Sequence, residues 1–223
     1  MLTRNDRTIE DAASLVDAAS ELGVRHIGFK DVGVPFATMQ ELAGQIRRQG
    51  GVCYLEVVST TREAMLRSLE AGRALDVDRI LGGTDLDAAT RILGDLSRYF
   101  PFPGRPIGHP TLLEGTAALI ADHCRTARAM GCGGVDLLAY RATQADPLDL
   151  VRAAREALPD GTLIVAGSVN STQRIDALAE AGVDAFTIGS AVFDGAFSPG
   201  KGSFRSQILD ILEACDKAPK MAA

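Results

Sequence analysis

Two charged residues stand in apolar segments of this sequence, and both are suited to chemistry. Lys30 follows the apolar run 26–29, and Glu56 lies inside the apolar run 54–58. A lysine beside low-dielectric walls is pushed toward its neutral amine, which attacks a carbonyl carbon to form a Schiff base. The same side chain, if protonated, stabilises an enolate or binds a carboxylate. A third interpretation is structural, with Lys30 in an ion pair with Asp31 or Glu56.

Glu56 needs a partner, because a carboxylate inside an apolar strand is costly to bury alone. Lys30 on the adjacent strand is the natural partner, and a Lys–Glu pair shares a proton in general acid–base catalysis. The alternative is a salt bridge that only stabilises the core. We treat Lys30 and Glu56 as candidate catalytic residues.

His109 and Asp6 are two further candidate catalytic residues. His109 stands between Gly108 and Pro110, after a predicted strand, and an imidazole titrates near neutral pH without help. The alternative is a loop histidine that caps a turn. Asp6 follows the first predicted strand, where it either acts as a base or stabilises the first helix through its dipole.

Arg4, Asn5 and Arg141 are candidate substrate-binding residues. Arg4 and Asn5 precede Asp6 directly, and their side chains are suited to hydrogen bonds with sugar hydroxyls. Arg141 follows another predicted strand and is suited to binding a substrate carboxylate through two nitrogens. A plain surface arginine is the other interpretation of Arg141.

Two small-residue turns near the end of the sequence predict a phosphate site. Apolar segments run directly into Gly167–Ser168 and, about twenty residues later, into Gly189–Ser190. Small residues let backbone N–H groups approach an anion, and serine hydroxyls add donors. In a (β/α)₈ barrel the loops after strands 7 and 8 hold the phosphate. We therefore predict that Gly167, Ser168, Gly189 and Ser190 bind the phosphate of a small metabolite.

The sequence contains no metal-binding motif. It has no HxH or HExxH motif, and its four cysteines lack zinc spacing. We predict no metal, with Mg²⁺ held by Asp31 and Glu56 from neighbouring strands as the alternative. Asp136 begins a predicted strand and is interpreted as structural.

Short apolar runs alternate with longer amphipathic patterns along the chain, which is typical of βα units and a parallel sheet. The predicted strands are residues 1–4, 25–30, 52–58, 78–82, 105–108, 135–140, 162–166 and 184–188. The predicted helices are residues 8–22, 36–49, 61–74, 86–97, 112–130, 147–157, 171–181 and 203–214. This pattern predicts an α/β protein with a (β/α)₈ TIM-barrel fold. Residues 1–215 are expected to form one domain and residues 216–223 a disordered tail.

A repeated segment supports the barrel. A small or polar helix stop, a valine and a polar residue precede an apolar strand at Val24, Val77, Val135 and Val183, in steps of 53, 58 and 48 residues. Each step equals about two βα units, so these segments mark strands 2, 4, 6 and 8. A doubly wound open sheet is the alternative, because αβ loops generally favour Gly and Val. The first predicted strand begins at residue 1 and reaches polar residues almost at once, so either this strand is short or a few upstream residues are missing.

Composition excludes several classes of partner. The 223 residues are 46% hydrophobic and 23% charged, with a net charge of −6, which argues against nucleic-acid and anionic-membrane partners. Only 5% are aromatic, so a platform for stacking bases is not expected. No signal peptide and no 18-residue apolar run occur, and free cysteines suit a reducing compartment. These features predict a cytoplasmic protein, with a homo-oligomer left open.

The segments 165–169 and 182–193 resemble the ribulose-phosphate-binding barrels. That group includes phosphoribosyl isomerases of histidine and tryptophan synthesis, ribulose-phosphate epimerase, thiamin phosphate synthase and keto-deoxy-phosphogluconate aldolases. The resemblance covers the final quarter of the chain at the level of motifs and implies a phosphate at Gly167, Ser168, Gly189 and Ser190. The Asp-x-Lys-x-x-Asp triplet of the decarboxylase branch is absent, and the aldolases carry their Schiff-base lysine later in the barrel than Lys30.

The residues and the resemblance together lead to one expected function. We expect an enzyme that acts on a small phosphorylated carbonyl compound, as an aldolase-like C–C lyase or an isomerase, without a cofactor. An FMN-dependent oxidoreductase is one alternative, because FMN fits the same phosphate site. A non-catalytic barrel that senses a phosphorylated metabolite is the other alternative.

Overall fold

Parallel strands and helices alternate along the chain in the computed structural model, which describes residues 1–219. The strands are β1 (Thr3–Arg4), β2 (Arg7–Thr8), β3 (His26–Lys30), β4 (Val52–Val57), β5 (Arg79–Gly82), β6 (Tyr99–Phe100), β7 (Arg105–Ile107), β8 (Leu112–Glu114), β9 (Gly134–Leu137), β10 (Thr162–Val165) and β11 (Ala185–Phe186). The helices are α1 (Ala12–Glu21), α2 (Phe36–Arg48), α3 (Arg62–Ala74), α4 (Leu86–Leu93), α5 (Ala117–Ala129), α6 (Pro147–Ala157), α7 (Thr172–Glu180), α8 (Ser190–Phe193) and α9 (Phe204–Lys217), with a 3₁₀ turn at Ala139–Arg141.

The parallel strands follow one another around a barrel. One sheet has the order β3-β4-β5-β6 and a second the order β11-β10-β9. Backbone hydrogen bonds link the two sheets and the first strand; among them, Asp136 N donates to Pro101 O, Leu2 N to Gly28 O and Met1 N to Ile188 O. These links give the ring of a TIM barrel, so the predicted fold class, with its short first strand, is confirmed.

Alternation along each strand divides the side chains between the barrel interior and the surrounding helices. Phe29 on β3 and Leu55 on β4 face outward and pack in the core against the helices. Leu81, Phe100 and Ile164 form a separate buried cluster that fills the barrel interior. Lys30 and Glu56, which are register partners on β3 and β4, lie in the interior at one end of this filling.

The fifth barrel strand differs from the prediction. It is β6, Tyr99–Phe100, which pairs in parallel with β5, and not residues 105–108. Arg105–Ile107 instead pairs antiparallel with Leu112–Glu114, so the predicted helix 112–130 begins only at Ala117, after the capping residue Thr116. The reason is that β6 has only two residues, too few to show a strand pattern, whereas residues 105–114 form a hairpin outside the barrel.

The N-terminal strand also ends in a hairpin. β1 turns at Asn5 and Asp6 into antiparallel β2, and both turn residues have a left-handed backbone with φ of 50° and 58°. Asn and Asp tolerate this conformation better than other side chains, because their short polar groups bond locally. The turn places Asp6 over the mouth of the barrel.

The last helix, α9, runs to Lys217, two residues past the predicted end of the barrel domain at 215. The rest of the predicted tail includes residues 220–223, which lie outside the described residues. Within residues 1–219, no helix is both long enough and apolar enough to cross a membrane. All four cysteines are free thiols; Cys53 and Cys124 are buried, Cys132 is half-buried and Cys215 is exposed.

Candidate functional site

Lys30 and Glu56, which were predicted as partners, meet Asp6 at the end of the barrel interior. Lys30 Nζ lies 2.9 Å from Asp6 Oδ1 and 3.1 Å from Glu56 Oε1. All three side chains are buried, with exposed fractions of 6% or less. Parallel pairing of β3 with β4 brings Lys30 and Glu56 together, and the turn after β1 supplies Asp6.

The backbone of Lys30 is fixed by a hydroxyl group from the N-terminal hairpin. Thr8 Oγ1 accepts a hydrogen bond from Lys30 N at 2.8 Å and donates one to Lys30 O at 2.9 Å. Thr8 is itself buried. Both the backbone N–H and the backbone carbonyl of Lys30 are therefore bonded, which fixes the end of the strand that carries the ammonium group.

Asp6 is shared between two cations and a backbone amide. Its Oδ1 accepts from Lys30, and its Oδ2 accepts from Arg141 Nη1 at 2.5 Å and from Thr111 N at 2.7 Å. Arg141 Nη1 also donates to Thr111 O at 3.0 Å. Asp6 thereby ties the first strand to the 3₁₀ turn after β9 and to the start of β8.

These contacts shift the pKa values of Asp6 and Lys30. Burial alone would raise the pKa of Asp6, but hydrogen bonds and charge from Arg141 and Lys30 hold it well below its usual range. Burial alone would lower the pKa of Lys30, but the carboxylates of Glu56 and Asp6 outweigh it and raise that pKa. The two carboxylates therefore favour the ammonium form of Lys30, and with it the electrostatic role over the Schiff-base role.

Asp136 was interpreted from the sequence as a structural residue at the beginning of a strand, and the structure places it one residue further inside β9. It lies in the middle of β9, is fully buried, and has no hydrogen-bond partner for either carboxyl oxygen within the described chain. Burial first, and the nearby Glu56 carboxylate second, raise the pKa of Asp136 well above its ordinary value. The signal in the sequence was an acidic residue directly between Val135 and Leu137.

A cavity of about 420 Å³ opens above this cluster of Asp6, Lys30, Glu56 and Arg141, which we call the ionic cluster. All four residues line the cavity, together with Asn5 and Tyr140. Its other side is formed by the four predicted phosphate residues, Gly167, Ser168, Gly189 and Ser190. One cavity thus contains both the charged groups and the predicted anion site.

The first small-residue turn has an unusual backbone, and the second is bonded to the N-terminal hairpin. Gly167 and Ser168 both have left-handed φ values, 77° and 58°, and such a conformation at serine is a strain that recurs at functional sites. Ser190 Oγ accepts a hydrogen bond from Asn5 N at 3.1 Å, so the second turn is joined to the turn that carries Asp6.

Both glycines are required by close approaches. A Cβ atom at Gly167 would lie 2.4 Å from Arg141 Nε, and one at Gly189 would lie 2.6 Å from Thr3 Oγ1 and 2.9 Å from Thr3 O. Each turn therefore needs a glycine, because a Cβ atom there would clash with a neighbouring residue. At Gly167 that neighbour belongs to the ionic cluster itself.

Arg174 was not identified from the sequence, although it adds positive charge at the first turn. Its guanidinium lies 4.4 Å from the centre of the Tyr140 ring, and its Nη1 donates to Ser168 O. The available signal in the sequence was that Arg174 follows Ser168 by only six residues, at the beginning of the predicted helix 171–181.

Two predicted site residues do not line this cavity. His109 is exposed in the turn between β7 and β8, because strand 5 is β6 and not residues 105–108. Arg4 is half exposed and forms an ion pair with Asp194, which joins the first hairpin to the end of α8. The neighbouring residues Asn5 and Thr111 contact the cavity in their place.

The carboxylates considered for Mg²⁺ are engaged separately. Asp31 accepts hydrogen bonds from Val58 N and from the hydroxyls of Ser59 and Ser68, whereas Glu56 pairs with Lys30. In residues 1–219, no three His, Cys, Asp or Glu side chains form a group suited to a metal ion.

A larger cavity of about 870 Å³ lies toward the opposite end of the barrel, beside α9. Its lining is mainly apolar and contains none of the predicted site residues. We place the candidate site in the smaller cavity, because the perturbed charged groups meet there.

No protein-family model matches the chain, and a search of curated proteins finds no match. Solved structures do match. Orotidine 5′-phosphate decarboxylase from Pyrococcus horikoshii OT3 has a TM-score of 0.66 at 12% identity, over 94% of this chain and 95% of that one. Thiamine phosphate pyrophosphorylase from Pyrococcus furiosus has a TM-score of 0.58 at 15% identity, over 96% and 98%. A mandelate oxidase variant with an FMN adduct has a TM-score of 0.60 at 14% identity, over 91% and 65%.

These similarities confirm the fold. The chain is a TIM barrel similar to solved barrels over nearly its whole length, so the fold that the resemblance to the ribulose-phosphate-binding barrels implies is confirmed. The named neighbours are enzymes. Because identities of 12–15% establish the fold alone, chemistry has to be argued from the site.

Proposed function

We propose that the protein is an enzyme that binds a small phosphorylated carbonyl compound and moves a proton at the carbon beside the carbonyl. The reaction would be that of an aldolase-type C–C lyase or an isomerase. The observation that carries this proposal is the single cavity lined by both the small-residue turns and the ionic cluster. Enediolate chemistry requires the same parts, namely an anion anchor, a cation and a base.

Each group has a role that fits its surroundings. The turns at Gly167–Ser168 and Gly189–Ser190 hold the phosphate, and the Lys30 ammonium faces the carbonyl oxygen. The Glu56 carboxylate accepts the proton from carbon, the C–H electron pair becomes the new C=C bond, and the negative charge moves to the oxygen beside Lys30. For an isomer, Glu56 returns its proton to the neighbouring carbon, and the hydroxyl proton of the enediolate moves to the oxygen beside Lys30 as the new carbonyl forms. For a lyase, a base removes the hydroxyl proton of the carbon that leaves as a carbonyl, the electron pair of the broken C–C bond forms the same enediolate, and a proton returned to carbon completes the reaction.

Asp6 and Arg141 support this arrangement. Asp6 is a poor base, because three donors stabilise its charged form. We therefore give Asp6 the role of orienting Lys30 and Arg141. A Schiff base would need the neutral amine of Lys30, which two carboxylates within 3.1 Å disfavour. His109 has no role in this mechanism, because it lies outside the cavity.

Solvent exchange tests the proposal. The protein would be incubated in D₂O with a panel of phosphorylated ketones and aldehydes, including dihydroxyacetone phosphate, and each compound analysed by mass spectrometry. We expect deuterium at the carbon beside the carbonyl in at least one compound. Unphosphorylated dihydroxyacetone should exchange far more slowly. A lyase and an isomerase share the enediolate, so one assay detects both.

Two variants sharpen the result. Glu56→Gln should abolish exchange but retain thermal stabilisation by the phosphorylated compound, because the phosphate is held elsewhere. Glu63→Gln, which changes only an exposed pair with Arg67, should exchange like the wild type. Binding of the panel without exchange in any compound would contradict an enzymatic role and favour a metabolite sensor.

A further inference from the structure

Successive backbone N–H groups at the Gly167–Ser168 turn have no acceptor within residues 1–219. They belong to Gly167, Ser168, Val169 and Asn170, all of which line the candidate cavity between the end of β10 and the start of α7. Val169 is buried, with an exposed fraction of 1%. Because buried backbone N–H groups are almost always bonded, this amide requires an acceptor that the described chain does not supply.

Arg174 sets the orientation of that amide. Its Nη1 donates to Ser168 O, the carbonyl of the same peptide unit that carries the Val169 N–H. This peptide bond is trans, and the C=O and N–H bonds of a planar trans peptide point in opposite directions. Ser168 and Val169 line the cavity, whereas Arg174 does not. The Val169 N–H therefore points away from Arg174, toward the cavity.

The guanidinium of Arg174 is held in turn by Tyr140. Its Cζ lies 4.4 Å from the centre of the Tyr140 ring, which is a cation–π contact. Tyr140 lies on the 3₁₀ turn after β9 and directly precedes Arg141 of the ionic cluster. The ring of Tyr140 and the carbonyl of Ser168 thus fix the guanidinium from two directions.

Arg174 also brings positive charge to the Gly167–Ser168 turn. Within residues 1–219 its polar contacts are the Ser168 carbonyl and the Tyr140 ring, so no carboxylate neutralises it there. A guanidinium bonded to a peptide oxygen polarises that peptide, which makes the N–H at its other end a stronger donor. The Val169 N–H is therefore suited to an anion.

The other cations at the cavity are less available to a phosphate. Lys30 and Arg141 are paired with the carboxylates of the ionic cluster. The amino group of Met1 donates to Ile188 O, and burial lowers its pKa to about 6, so it is mostly neutral at pH 7. The charge of Arg174 is compensated by neither route.

We propose that the Val169 N–H binds the phosphate and that Arg174, stacked on Tyr140, is the positioning residue that orients and polarises this amide. The ligand is a phosphate dianion, whose terminal oxygens accept hydrogen bonds from several N–H groups at once. This inference rests on the proposed function for the identity of the ligand. The orientation of the amide does not depend on any reaction.

NMR of the full chain with inorganic phosphate tests the contact directly. Ser168–Val169 is the only Ser–Val pair in the sequence, so labelling with carbonyl-¹³C serine and ¹⁵N-valine identifies one amide signal. We expect the Val169 amide proton to shift downfield as phosphate is added, until the shift saturates. A Val169 signal that stays unchanged at saturating phosphate would overturn the proposal.

Two arginine variants test the role of the guanidinium. Arg174→Gln should weaken phosphate binding by about tenfold or more, the usual effect of losing a hydrogen bond that involves a charged group, and should reduce the Val169 shift. Arg73→Gln is the control, because Arg73 is an exposed arginine that also donates to a carbonyl, Ile92 O, far from the cavity. It removes the same charge and should bind phosphate like the wild type. Equal affinities in the two variants would overturn the role of Arg174.

A merely structural role of Arg174 has a different signature. It would lower the melting temperature of Arg174→Gln and leave the phosphate affinity and the Val169 shift of the folded variant unchanged. Arg174→Lys retains the charge and a donor, so it should recover part of the affinity that Arg174→Gln loses. No recovery in a folded Arg174→Lys would contradict the contribution of the charge.

Deuterium exchange separates this inference from the proposed function. With a compound that the wild type exchanges, Arg174→Gln should raise KM far more than it lowers kcat, because the ionic cluster is unchanged. If the wild type exchanges no compound while Val169 responds to phosphate, the proposed function fails and this inference stands. If exchange occurs while Val169 does not respond, this inference fails and the proposed function stands.

Discussion

Arg141 Nη1 lies 2.5 Å from Asp6 Oδ2, and this partly buried contact joins residues that are 135 positions apart in the sequence. The other oxygen of Asp6 holds Lys30. One carboxylate therefore fixes two cations, one from β3 and one from the turn after β9, at the mouth of the barrel. The geometry of the whole ionic cluster depends on Asp6.

Asp6→Asn should destabilise the protein by about 3 kcal/mol at pH 7, because it removes one partner from buried ion pairs and leaves the cations undercompensated. The folded pKa of Asp6 is lowered, so its stabilising effect is present above the unfolded value of about 4 and is lost as pH falls below it. Urea unfolding of variant and wild type between pH 3 and pH 7 measures this. The difference in the free energy of unfolding between variant and wild type should become smaller toward pH 3.

The control for Asp6 is Asp149→Asn, which breaks an exposed pair with Arg152. Exposed pairs contribute less than about 1 kcal/mol, so this variant should unfold almost like the wild type. Equal effects at both positions would mean that burial does not strengthen the Asp6 contacts.

Gly167→Ala and Gly50→Ala separate backbone strain from a steric effect on Arg141. Both glycines have a left-handed φ, but a Cβ at Gly50 has nothing within 4 Å, whereas one at Gly167 meets Arg141. Gly50→Ala should cost about 1 kcal/mol and Gly167→Ala at least twice that. Chemical denaturation measures both. In an Arg141→Ala background the excess at Gly167 should disappear, and its persistence would show that Arg141 is not the cause.

Ser168→Asp and Ser168→Asn test the phosphate site. Both side chains tolerate the left-handed backbone at this position and have nearly the same shape, but only aspartate adds a negative charge. Repulsion at short range should weaken binding of dihydroxyacetone phosphate by Ser168→Asp at least tenfold relative to Ser168→Asn. Calorimetry gives both affinities. Equal affinities would place the phosphate away from the Gly167–Ser168 turn.

Lys30→Gln should lower the rate of deuterium exchange by about 10²–10³-fold, which is the usual cost of removing one group that stabilises a developing oxyanion. Binding of the phosphorylated compound should change much less, because the turns hold the phosphate. Single-turnover exchange and calorimetry on the same samples separate the two effects. Exchange at the wild-type rate would remove Lys30 from the mechanism.

Parts of the site that depend on neighbouring strands were predictable from the sequence. Lys30 and Glu56 end up as partners because β3 and β4 are consecutive parallel strands with matched apolar runs. The small-residue turns follow their strands directly, so their position at one end of the barrel also follows from the fold. In both instances it is sufficient to recognise an apolar strand and to know that parallel strands end at the same side of the barrel.

Other parts depend on contacts that no local pattern contains. The pairing of Asp6 with Arg141 requires the ring of strands to close, and the misplaced fifth strand wrongly put His109 at a strand end. The strand Tyr99–Phe100 has only two residues, too few for an alternation of apolar and polar residues to appear. Asp136 was interpreted as structural because the strand was predicted to begin at residue 135, one residue later than β9 does, which placed this inward-facing acid at the beginning of the strand.

The charge on Lys30 is the most direct test of this account, because the proposed chemistry requires an ammonium ion between two carboxylates. In ¹⁵N-lysine-labelled protein, the Nζ signal of Lys30, assigned by its loss in Lys30→Gln, would be followed by NMR as pH rises. We predict that Lys30 stays protonated beyond the ordinary lysine value of about 10.4. A Lys30 amine that is neutral near pH 7 would contradict the account and restore the Schiff-base mechanism.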